Sequence, residues 1–160
     1  MKKIIIILLI SLNFISCFKE PKKINIETVN NYVKEEMSLN VLNKIIMFEQ
    51  SEFEKWCVAQ DFKYYLASND YDFKNVQYKN DRSLIMLNIP NLKDGKLNIS
   101  YNTSNKIDYE RIINNLKDEN YILGQNDGND YNYSNIFNKV LLNSNEIFGE
   151  LIYSIEITKK

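Results

Sequence analysis

Apolar and polar residues alternate strictly in two stretches of the chain. Leu97, Ile99 and Tyr101 interleave with Asn98, Ser100 and Asn102, and Ile155 and Ile157 interleave with Ser154, Glu156 and Thr158. A period of two places one set on each face of a strand, so both stretches predict an antiparallel sheet with one covered face and one wet face. A period near 3.6 appears elsewhere. Phe53, Trp56 and Cys57 share one helical face, as do Tyr109, Ile112, Ile113 and Leu116. Ser51 with Glu54 reads as a capping box for the first helix, and Asn105 or Asp108 is the expected cap of the second. After each helix come two further predicted strands: 62–67 and 75–79 in the first case, 120–124 and a bent 132–142 in the second. Val29, Tyr32, Val33 and Met37 predict another helix over 27–37, while 41–48 and 83–89 read as additional strands.

These elements recur. Phe53-Glu54-Lys55-Trp56-Cys57 matches Tyr109-Glu110-Arg111-Ile112-Ile113 in kind at an offset of 56, and residues 97–101 match 153–157 at the same offset. With one gap, 64–70 falls on 121–127. The expected fold class is therefore α+β: tandem αβββ-like repeats (about 41–103 and 104–160) forming a single domain over 27–160, with helices packed on one face of antiparallel sheet.

The first residues follow a different logic. Lys2 and Lys3 precede an apolar run from Ile4 to Ile10, which softens and ends at Ser16-Cys17. The run is too short to cross about 30 Å of hydrocarbon, and Lys19, Glu20, Lys22 and Lys23 close it off, so 1–16 reads as a signal peptide. Phe14-Ile15-Ser16-Cys17 resembles the signal-peptide end of bacterial lipoproteins, with Phe14 where Leu is usual. That resemblance implies cleavage before Cys17, acylation of Cys17 with palmitate-type chains, and stable attachment of the mature chain to the cell envelope membrane. Phe18, in place of Asp, implies the outer rather than the inner membrane in a double-membraned cell. Residues 17–26 are then the lipidated cysteine and a tether, reaching roughly 30 Å at about 3.3 Å per residue.

Composition narrows the chemistry. Without Lys2 and Lys3 the chain has 18 basic and 21 acidic residues, so no basic field for nucleic acid exists. Four Gly and two Pro point to regular structure with few long loops. With Cys17 acylated, Cys57 has no disulfide partner and reads as a small buried hydrophobe. Histidine is absent, which removes His-dependent triads, His-ligated zinc and the commonest general base. No phosphate loop or nucleophile elbow is present, so no catalytic residue and no cofactor is expected; a hydrolase working with two carboxylates stays formally open. Asp127 and Asp130, in Asn126-Asp127-Gly128-Asn129-Asp130, are a weak calcium candidate, but the same residues are standard in a turn.

Eleven tyrosines remain. Tyr64, Tyr78, Tyr101, Tyr133 and Tyr153 fall on predicted strands and are the candidate partner-binding residues, since exposed Tyr on a rigid sheet suits protein recognition. The expected function is a membrane-anchored, non-enzymatic protein-binding module. Small anchored domains of this kind are similar in architecture, without a shared motif, to periplasmic enzyme inhibitors such as the β-lactamase inhibitory proteins. That likeness implies an inhibitor or immunity role. A structural accessory of the envelope is the alternative expectation.

Overall fold

The computed structural model describes residues 32–160 except 70, 92–94, 125 and 127–129. The expected signal peptide, Cys17, the tether and Asp127 lie outside the described residues. Among the described residues three helices, α1 (Leu39–Ile45), α2 (Gln50–Ala59) and α3 (Lys106–Asp118), accompany eight strands. The strands are β1 (Lys63–Asn69), β2 (Phe73–Lys79), β3 (Ser83–Pro90), β4 (Asn98–Thr103), β5 (Ile122–Leu123), β6 (Tyr131–Ser134), β7 (Asn138–Ile147) and β8 (Glu150–Lys159). All pair antiparallel in one sheet of order β1-β2-β3-β4-β8-β7-β6-β5. The fold is mixed α+β, mostly sheet.

Strand register divides the two faces. Val76, Leu87, Ile99, Ile157 and Val140 lie in one cross-strand row, and Tyr78, Ile85, Tyr101, Ile155 and Leu142 lie in the next on the same face. All ten are buried, in one cluster with Leu39, Leu42 and Ile45 of α1, Phe53, Trp56 and Cys57 of α2, and Ile112 and Leu116 of α3. The alternation at 97–101 and 153–157 thus sets the central pair β4–β8. The expected strand at 83–89 is β3.

Four expectations are corrected. Residues 41–48 are not a strand: Leu39–Ile45 is helix α1, because the Ser38 hydroxyl accepts from the Val41 amide (3.3 Å) and Leu39, Leu42 and Ile45 recur at helical spacing. The expected helix over 27–37 is absent where it is described, since Tyr32–Ser38 carries no helix. The Gln60 side chain takes over that backbone instead, accepting from the Glu35 amide (2.7 Å) and donating to the Val33 carbonyl (2.9 Å). Ser51 is not a cap; α2 begins at Gln50, and Glu49 at its N-cap makes no side-chain cap bond. The bent strand 132–142 is two strands, β6 and β7. They join at Asn135, whose side-chain oxygen accepts from the amides of Phe137 (2.9 Å) and Asn138 (2.8 Å). At α3 the expected cap stands: Asn105 accepts from the Ile107 amide (3.1 Å).

Helices α2 and α3 end alike. Asp61 and Asn120 both take left-handed backbone (φ 64 and 58), and the next residues, Phe62 and Tyr121, are buried. Their amides bond back to Cys57 and Leu116 carbonyls (2.9 and 3.2 Å), which closes each helix and turns the chain into β1 or towards β5.

Cys57 is fully buried, and burial first, then the neighbouring Glu54 carboxylate, pushes its thiol pKa well above the ordinary value. A thiol reagent is expected to modify Cys57 only at the rate of unfolding, as followed by mass spectrometry of the labelled peptide. Fast labelling of the native chain would contradict its place in the core.

Candidate functional site

The face opposite the core is a mat of short polar side chains. Asn75, Asn88, Asn98, Thr158 and Lys139 form one cross-strand row on it, and Gln77, Met86, Ser100, Glu156 and Leu141 form the next. From β2 to β8 these side chains are half-buried by one another. They are also mutually bonded. Asn88 Nδ2 donates to Asn98 Oδ1 (3.0 Å), Asn98 Nδ2 to Thr158 (3.1 Å) and to Glu156, and Ser154 Oγ to Asn102 Oδ1 (2.7 Å). Amides fixed this way lose little rotamer freedom on meeting a partner, which lowers the entropic cost of binding through them.

A concavity of about 720 Å³ opens where β3 begins, β4 ends and α3 starts. Several of its charged groups are committed to one another. The Arg111 guanidinium donates to the Met37 carbonyl (2.9 Å) and pairs with Asp108 (3.1 Å) and Glu36 (3.0 Å). Tyr101 Oη donates to Asp108 Oδ2 (3.0 Å) and meets Ser83 Oγ at 3.0 Å, which in turn meets Thr103 Oγ1 at 2.8 Å. Burial lifts the Tyr101 pKa to about 12; the Asp108 charge and hydrogen bond push the same way, against the hydroxyls of Ser83 and Thr103. The cleft therefore fastens the segment before α1 to α3 and to the end of the sheet.

Glu35 is the most telling group in that segment. It accepts from Trp56 Nε1 (3.0 Å) and pairs with Lys44 (2.9 Å). Burial raises its pKa, but the Trp56 bond and the bond and charge of Lys44 outweigh this and leave it below the ordinary 4.5. A depressed carboxylate stabilises the fold above its unfolded pKa, and that contribution disappears as pH falls through the folded value. Stability is expected to fall below about pH 4.5 with a limb that Glu35→Gln flattens, read from urea midpoints against pH. An unchanged limb would remove Glu35 from the account.

The five candidate tyrosines lie in rows of the core face. Tyr78 and Tyr101 are 2% exposed and Tyr153 is 8% exposed, so their rings are packing groups and not contact groups. Tyr78 takes the edge of Phe53 (6.0 Å between centroids), and Tyr153 stacks on Tyr109 (4.3 Å). Tyr133 is half-buried against the cluster, and Tyr64, at the β1 edge, is partly exposed with its ring against Tyr78 (5.7 Å). The tyrosines that face solvent are Tyr65, Tyr71, Tyr131 and, of the five candidates, Tyr64. Asp130 accepts from Asn143 Nδ2 across the β6–β7 pair. Among the described residues no group of three or more His, Cys, Asp or Glu side chains stands close enough to hold a metal ion. No described helix is long and apolar enough to cross a membrane.

Polar strand residues were legible as the wet set, but the bonded amide mat was not, because it depends on register between β3, β4 and β8. Comparison with protein-family models, with curated proteins and with solved structures finds no match.

Proposed function

We propose that this chain is a lipid-anchored, non-enzymatic protein-binding module, held to a membrane through Cys17 and contacting its partner through the uncovered face of the sheet. The anchor rests on the sequence pattern around Ser16-Cys17, and Phe18 after it favours the outer membrane of a double-membraned cell. In this reading the domain is two similar units. The first is α2 with β1 to β4, the second α3 with β5 to β8, and their helices cover the core face. The mirrored strand order, with β4 and β8 meeting at the centre, supports the pairing of units, as do the matched helix ends at Asp61-Phe62 and Asn120-Tyr121.

The observation that carries the functional reading is the polar face that runs from β2 to β8, its side chains bonded to one another across β3, β4 and β8. A surface that is broad, rigid and rich in paired amides suits another folded protein better than a small molecule, which takes a concave and mostly apolar site. An enzyme inhibited by the module is the narrower form of the proposal. A photoreactive residue placed at Ser100 in the full-length chain, in its own cells, tests it. One discrete protein adduct is expected from Ser100 and none from exposed Tyr71. Lipid adducts alone, or equal products at both positions, would overturn the reading.

A further inference from the structure

The hairpin joining β7 to β8 reaches past its neighbours. β6 stops pairing with β7 at Leu142, and β4 stops pairing with β8 at Tyr153, while β7 and β8 pair on to Ile147 and Glu150. The arm ends in Ile147, Phe148 and Leu151, all exposed, with Phe148 at 105%. Phe148 and Gly149 both have positive φ (53 and 82), so the two-residue turn is of type I′, which favours Asn-Gly. A bulky side chain in left-handed backbone is strained, and here it touches no core. The fold gains nothing from that phenylalanine.

The other end of the same ribbon carries a second exposed apolar group, Ile122, Ile136 and Phe137, around an open recess of about 490 Å³ with Glu119 and Lys160 beside it. Nine residue steps along β7 separate Asn138 from Ile147, about 30 Å at 3.3 Å each. Tip and recess therefore stand at opposite ends of one molecule.

We infer that the chain self-associates head to tail, the Ile147-Phe148-Leu151 tip of one copy seating in the Ile122-Ile136-Phe137 recess of the next. Charge selects this arrangement over tip against tip. Glu146 and Glu150 flank the tip with no basic residue between Asn143 and Ile152, so two tips would bring four carboxylates together. At the recess Lys159 ends β8 and Lys160 follows it, its ammonium donating to the Asn135 carbonyl, while Glu119 accepts from Asn43 Nδ2 (3.2 Å). A tip-to-recess contact is heterologous, and copies joined end to end through it add in a row. The apolar area is small, so association is weak in dilute solution and strengthened where anchoring concentrates the copies. This inference stands independently of the open sheet face.

The test is disulfide trapping of the full-length chain in cells under mild oxidation. Glu150→Cys with Ile136→Cys in one chain is expected to give a ladder of multiples on non-reducing gels. Each single variant alone gives no dimer, and the two co-expressed give dimer only. Adding Phe148→Asn is expected to abolish the ladder while raising the melting temperature by a few degrees, since Asn-Gly suits the turn. Dimers from Glu150→Cys alone would mean tip against tip and overturn the inference. Adducts only to other proteins, no product, or a ladder indifferent to Phe148→Asn would overturn it equally.

Discussion

Ile99→Ser is expected to cost about 4 kcal/mol of folding stability, whereas Ser100→Ile, one position along the same strand, is expected to cost less than about 1 kcal/mol. Ile99 is 1% exposed, at the centre of the row that joins Leu87 to Ile157. Truncating it leaves a cavity and buries a hydroxyl in apolar surroundings. Ser100 lies on the other face, between Met86 and Glu156, half-buried and with only a long hydrogen bond to Asn98 (3.5 Å). Isoleucine is well suited to that pleated surface. Against a typical total of roughly 5–15 kcal/mol the first change removes much of the stability and the second little. Urea denaturation of the two variants decides this: similar midpoints would mean the faces are wrongly assigned.

Trp56→Ala is expected to be as damaging, at about 4 kcal/mol, with Trp56→Phe near half of that. Trp56 is fully buried, stacks on Phe62 (6.4 Å, 27° between planes) and donates to Glu35, so it ties α2 to the chain on both sides of it. Its loss opens a large cavity and strips Glu35 of one bond at once. Because it is the sole tryptophan, its fluorescence reports unfolding in the parent chain; circular dichroism follows the variants. A Trp56→Ala midpoint within error of the parent would refute the packing.

Much of the sheet was readable because period-two alternation is a direct image of two faces. Ile99 against Ser100 and Ile155 against Glu156 needed nothing else. The α3 cap at Asn105 was readable too, because a polar residue just ahead of a helical stripe has one main use. α1 was not, because Val41, Ile45 and Ile46 look strand-forming and the decisive signal was Ser38 ahead of them. The segment from Tyr32 to Ser38 shows helical spacing, yet Gln60, some 25 residues away, supplies its hydrogen bonds, a tertiary effect that no local pattern records.

At the candidate site the tyrosines were misleading for a physical reason. A phenol is both apolar and polar, so its presence on a strand leaves the face open. Parity settles it: Tyr101 is in phase with Ile99, Tyr78 with Val76, and Tyr153 with Ile155, and all three are buried. The Phe148-Gly149 turn was hidden because phenylalanine is a poor marker of left-handed backbone.

If the open sheet face, and not the cleft beside Tyr101, is the working surface, substitutions in the two places have different effects. Capture of envelope proteins by the full-length chain is most directly compared between two variants. Ser100→Arg with Ser154→Arg places two bulky charges on the open face, and Asp108→Asn alters only the cleft. The arginine variant is expected to keep its circular dichroism and to lose the protein captured by the parent, while Asp108→Asn still captures it. Capture that survives the arginines and disappears with Asp108→Asn would contradict that expectation.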